Sequence, residues 1–250
     1  MHSPLADALG VTLGPVAIQL TDARPEGATQ FKPGRMGCVA AMLLTAARGR
    51  TACFDRETFG CPGGGSGIGF GDCYARWRFP IEQLLSTGGT ATLANGAAYD
   101  MHQGERFHRT PEITRRWLAE FPFRDIPAAY VVARPLADVA AGEAVALVHW
   151  HVNPDQLSAL VTLAGFERGA VETATAPWGA ACQAIAYAYA EAEREQPRGV
   201  IGFFDVSQRG KVDREILSFT APWALHREME AAVPDSFLGT EAWQKLRARQ

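Results

Sequence analysis

Five cysteines, at positions 38, 53, 61, 73 and 182, are the residues of this 250-residue chain best suited to unusual chemistry. Their number is odd, and a chain this long can bury a sizeable core without disulfide staples. That leaves free thiols, metal or cluster ligands, or a catalytic thiol. The spacings match neither a zinc ribbon nor an ordinary ferredoxin, whose ligands lie close together in sequence. Ligands converging from distant segments stay open. Cys61 is followed by Pro62 and by glycines at 63, 64, 65, 67, 69 and 71. Backbone free of side chains lets amides approach a sulfur, which suits a cluster or thiolate site. The same loop could form an amide nest for phosphate or carboxylate, or be a plain surface turn. Cys182 follows Gly179 in the first turn of an expected helix, where the dipole and free amides would stabilise a thiolate. The plainer reading is a small buried apolar residue. Cys38 opens another expected helix and carries the same two readings. Cys53 is expected in the core and Cys73 is expected to be incidental.

The remaining polar residues add less. His149 and His151 flank Trp150, and on a strand both point to one face. They are a ligand pair or, more commonly, polar residues on an exposed sheet face. His102 and His108 lie in a polar loop near Glu105 and Arg106 that could cover a site. Asn153-Pro-Asp-Gln is a strand-to-helix turn, so Asn153 or Asp155 is either a helix cap or a polar group beside a site. Arg56 and Glu57, just before Cys61, carry the same ambiguity. Dinucleotide-binding, phosphate-loop, zinc-protease, Cys-x-x-Cys and Gly-x-Ser-x-Gly signatures are all missing from the sequence, so those chemistries lack local support.

Several elements must position these groups. Strands are expected over 15–20, 51–54, 130–135, 144–152, 172–176, 200–205 and 216–220. Helices are expected over 38–48, 111–121, 153–163, about 182–195, 222–232 and 240–249, with Thr110 as a cap and Pro111 at the first helical position of the second. The fold class expected is α/β or α+β, with a mixed sheet and flanking helices in one compact domain over 1–250. The order strand, helix, short strand, cysteine occurs twice, which suggests an internal duplication with halves 1–125 and 126–250. A pseudo-twofold axis would then set Cys61 opposite Cys182, and Cys38 opposite the Asn153–Gln156 turn. Apolar residues make up 47% of the chain and charged residues 20%, which excludes a disordered chain. A net charge of −3 argues against nucleic acid as partner. The longest apolar stretch, Met36 to Ala47, falls short of the roughly 18–20 residues of a membrane span. No secretion signal is recognised at the start. The expected location is the cytoplasm, with no membrane partner.

Longer stretches resemble a known family. Cys61-Pro-Gly-Gly-Gly-Ser-Gly-Ile-Gly-Phe70, Asn153-Pro-Asp-Gln-Leu-Ser-Ala-Leu160, Gly179-Ala-Ala-Cys-Gln183 and Val200-Ile-Gly-Phe-Phe-Asp-Val-Ser207 are similar to the uncharacterised family called domain of unknown function 169, or ArCR. The apolar helix after Cys38 and the stretch from Gly104 to Glu112 look similar too. The resemblance covers nearly the whole chain and implies thiols at Cys38, Cys61 and Cys182, but not at Cys53 or Cys73. Ala181 departs from it, since the family favours glycine there. Three such thiols suggest a [4Fe–4S] cluster with one iron not held by cysteine, bordered by Gly63, Gly64 and Gly65. Asp155 is the expected non-cysteine ligand or catalytic group, through the pseudo-twofold argument. Arg56 is expected to meet a small anionic or sulfur-containing substrate. The expected activity is that of a lyase or oxidoreductase. The alternatives are a cluster-holding electron-transfer module with a protein partner, a metal-free enzyme with Cys182 as nucleophile, and a zinc site on the three thiols. A homo-oligomer is left open.

Overall fold

The strand Leu147–Val152 is buried at every position. Successive side chains of a strand point to opposite faces, so a strand buried throughout belongs to a sheet covered on both sides. The computed structural model describes all residues except 59, 78, 94, 180 and 250. Its strands are β1 (Val16–Thr21), β2 (Ala52–Phe54), β3 (Thr90–Thr92), β4 (Ala98–Asp100), β5 (Tyr130–Pro135), β6 (Leu147–Val152), β7 (Ala174–Thr175), β8 (Gly199–Gly202) and β9 (Leu217–Pro222). Its helices are α1 (Pro4–Leu9), α2 (Val39–Ala47), α3 (Pro62–Ile68), α4 (Ile81–Leu84), α5 (Pro111–Glu120), α6 (Pro154–Leu163), α7 (Ala184–Ala192), α8 (Val206–Arg209), α9 (Trp223–Ala232) and α10 (Glu241–Arg247).

Seven strands form one sheet in the order β2-β5-β1-β6-β9-β8-β7, and β3 and β4 form a separate hairpin. β7 and β8 run parallel, and the other described pairings of the large sheet are antiparallel. The mixed sheet with flanking helices is the class read from the sequence. On one face Val16, Ile18 and Leu147 pack with Val39 and Leu43 of α2, Ile68 of α3 and Ile185 of α7. On the other, Ala17, Val148 and Trp150 pack with Leu5 of α1, Leu160 of α6, Leu225 of α9 and Trp243 of α10.

Local signals hold where they are strong. Thr110 caps α5 by accepting from the Ile113 amide, and Asn153 and Gln156 form a reciprocal capping box on α6. Two expectations change. The glycine segment after Cys61, read as a loop, is the helix α3. The helices equated by the duplication argument, α2 and α6, pack on opposite faces of the sheet. A local twofold between adjacent antiparallel strands stands normal to the sheet and keeps each face on its own side. The equivalence of Cys38 with the Asn153–Gln156 turn therefore fails. Among the described residues no helix is long and apolar enough to cross a membrane.

Candidate functional site

Glycine costs about 1 kcal/mol relative to alanine inside a helix, so a helix reading Pro-Gly-Gly-Gly-Ser-Gly-Ile must be held by what surrounds it. Pro62 occupies the first helical position, where its missing N–H costs nothing. Cys61 is the N-cap, and its Sγ accepts the Gly64 N–H at 3.1 Å. The decisive constraint is tertiary. A Cβ on Gly67 would lie 2.9 Å from the carbonyl carbon and oxygen of Cys182, and a Cβ on Gly64 would lie 2.8 Å from Val39 Cγ2. Only a nearly bare helix fits between α2 and the 3-10 turn Ala181–Gln183 that precedes α7.

That fit brings three thiols together. Cys38 is the N-cap of α2, Cys61 the N-cap of α3, and Cys182 sits in the 3-10 turn. All three line one open pocket of about 220 Å³, together with Gly63, Gly64, Asp205, Gln208 and Lys211. The Cys38 thiol donates to Gln208 Oε1 at 3.3 Å, and the Cys182 thiol donates to the Gly63 carbonyl at 3.4 Å. Behind the pocket the Tyr74 hydroxyl accepts from Gln183 Nε2 at 2.6 Å. Among the described residues no three His, Cys, Asp or Glu side chains stand close enough to hold a single metal ion.

Electrostatics favour the protonated form of Cys61 and Cys182. Burial pushes Cys182 well above its ordinary range, and the Cys61, Cys38 and Asp205 groups add to it. This reverses the expectation that its helix would stabilise a thiolate: the side chain is buried and sits among groups that repel negative charge. Burial also raises Cys61, against which the Gly64 amide pulls down, Cys38 pushes up and Lys211 pulls down.

The other candidates sit elsewhere. Gly65 is buried in α3 and gives its amide to the Cys61 carbonyl at 2.9 Å. Asp155 opens α6 on the opposite face and is held in a two-pronged pair by Arg249 at 2.6 and 2.9 Å. It lines a different pocket, with Arg48 and Ile216. Arg56 is committed to Asp125 at 2.7 Å and lies over the Phe70 ring at 4.9 Å. It braces the segment after α5 instead of facing the thiols. Cys53 is buried in β2 and its thiol is pushed up to about 11 by burial. Cys73 is buried beside Ser66.

Sequence reasoning missed Asp205, Gln208 and Lys211. The strand expected over 200–205 hid Asp205, because β8 ends at Gly202 and the chain turns out of the sheet at Phe203, whose φ is 70°. A bulky residue in that region is uncommon and marks a constrained turn. Asp205 then caps α8, taking the Ser207 N–H and hydroxyl on Oδ1 at 2.9 and 2.7 Å.

His149 and His151 also differ from expectation. They are buried, with His149 Nδ1 2.8 Å from Thr220 Oγ1. Cross-strand pairing sets His149 opposite Thr220 and His151 opposite Ser218, a polar square on the face that carries the thiol pocket. Phe203 covers both imidazoles at 5.6 and 5.3 Å between ring centres, and its far side packs with Cys38, Ala40 and Ala181. Among the described residues His149 Nε2, both nitrogens of His151 and Ser218 Oγ have no partner. Burial pushes His151 down to about 4 and His149 well below its ordinary value.

A family model described as DUF169, uncharacterised ArCR, matches residues 4–232. The chain belongs to the DUF169 family. No curated protein and no solved structure matches it. Three of the four motifs quoted above for DUF169 meet at the thiol pocket: the stretch from Cys61 supplies α3, Ala181–Gln183 is the 3-10 turn, and Val200–Ser207 holds the turn bearing Asp205, whereas Asn153–Leu160 lies at α6 on the opposite face.

Proposed function

We propose that this DUF169 protein is an iron–sulfur protein whose [4Fe–4S] cluster is held by Cys38, Cys61 and Cys182. The observation that carries the reading is the meeting of three thiols, from segments far apart in the chain, on one open pocket. Soft thiolates select iron–sulfur clusters over hard cations. The Gly64 amide on Cys61 Sγ is the kind of hydrogen bond that tunes a cluster's potential. Burial opposes bare thiolates here, and positive irons would offset that cost by displacing the protons. With three cysteine ligands, one iron of the bound cluster keeps a position for substrate, where it supplies Lewis-acid chemistry.

Around that position the chain offers Asp205, Gln208 and Lys211. This arrangement suits a lyase or oxidoreductase acting on a small molecule. A nucleophilic Cys182 without metal is opposed by the burial that raises its pKa, since attack requires the thiolate. Anaerobic reconstitution with iron and sulfide tests the proposal. A brown protein absorbing near 400 nm, with about four irons and four sulfides per chain, is expected. A colourless chain that stays empty would overturn it.

A further inference from the structure

The thiol pocket is polarised. Lys211 is exposed at its rim, close enough to Cys61 to favour negative charge there. Among the described residues Lys211 has no ion-pair partner. Asp205 is 5% exposed and lies inside, where it opposes negative charge on Cys182. Its Oδ1 is fixed by two bonds from Ser207, which locks the carboxylate in place. Gln208, between them in sequence, accepts from Cys38 and ties the same turn to the thiols.

Charge at a concave site concentrates ligands of opposite sign and repels like charge. A dianion reaching the pocket floor would meet Asp205. A neutral molecule would gain nothing from Lys211. We infer that the pocket takes a small molecule with one anionic group, held at the mouth by Lys211, and an uncharged end turned inward by Asp205 toward the thiols. This rests on the thiol pocket being the working site, but not on its holding a cluster. It replaces Arg56, whose guanidinium is already engaged with Asp125, as the substrate's counter-charge.

The inference is testable on the full chain prepared without metal. Iodoacetate and iodoacetamide alkylate the same thiols and differ in charge, so the ratio of their rates at Cys38, Cys61 and Cys182, followed by mass spectrometry, reads the pocket's preference for an anion. Thiol reactivity itself cancels in the ratio. Lys211→Gln should lower it about threefold or more, and Lys211→Glu further, while Lys211→Arg keeps it. Asp205→Asn should raise the ratio, most of all at Cys182. Raising the salt to 0.5 M should shrink the wild-type preference, because exposed charges are screened. A ratio unchanged in Lys211→Gln would overturn the assignment of Lys211, and one unchanged in Asp205→Asn would overturn the inward orientation. Failure of cluster loading with the ratios as expected would remove the cluster and leave this inference standing.

Discussion

The two faces of the large sheet are built by different rules. The face under α1, α6, α9 and α10 is a conventional core: Trp150, Leu160, Leu225, Met229 and Trp243 interlock, and α6 carries a full capping box. The face under α2, α3 and α7 carries the glycine helix, the three thiols and a phenylalanine at positive φ. Such breaches of local preference concentrate where function competes with stability. Both faces carry a buried core, and the one under α2, α3 and α7 also departs from local preference where three thiols meet.

The largest effect should separate these roles. Trp150→Ala removes a fully buried ring from the conventional face, at a cost of about 3–5 kcal/mol. The expected result in urea denaturation is a large fall in midpoint, with iron bound per folded molecule unchanged. Gly67→Ala should join the two quantities. Its Cβ meets the Cys182 backbone, which cannot swing aside as a flexible side chain can. A loss of about 1–3 kcal/mol is expected, together with reduced iron loading in the folded fraction, because Cys182 is displaced relative to Cys61.

Acid should act on both faces. The folded pKa of His151 lies at about 4 and that of His226, buried on the opposite face, at about 3. Both are below the ordinary value near 6.5, so the unfolded chain takes up these protons first. Their stabilisation is complete above pH 6.5 and is lost as the pH falls toward the folded values, by up to about 1.4 kcal/mol per pH unit for each group. Urea midpoints at pH 7.5, 6 and 5 should fall in that order, and His151→Gln should flatten the trend by about one proton. The smallest effect is expected at Asp155. Asp155→Asn breaks a partly exposed pair with Arg249, so melting temperature should fall only slightly and iron loading should stay at the wild-type level.

What was legible in the sequence follows the same division. The helix after Thr110-Pro111 and the one after Asn153-Pro154 begin where their caps place them, because capping is a matter of three or four neighbouring residues. Placement at helix starts and beside glycines also favoured Cys38, Cys61 and Cys182, and the family resemblance selected the same three. The glycine segment misled because propensity is local, whereas α3 is dictated by the backbone of Cys182, far away in the chain. His149 and His151 misled because polarity suggested solvent, and their burial depends on α7 and Phe203 covering the strand. Asp155 was reached through a symmetry argument that the placement of α6 does not support. Lys211 had no pattern around it to mark it, and its place beside Cys61 comes from the turn at Phe203.

The central claim is that Cys38, Cys61 and Cys182 form one cluster site while Cys53 and Cys73 are packing residues. The most direct measurement is iron and acid-labile sulfide content after anaerobic reconstitution of the five single Cys→Ala variants. Loading is expected to collapse in Cys61→Ala and Cys182→Ala, to fall sharply in Cys38→Ala, and to stay at the wild-type level in Cys53→Ala and Cys73→Ala. A Cys61→Ala protein that fills as completely as the wild type would contradict the account.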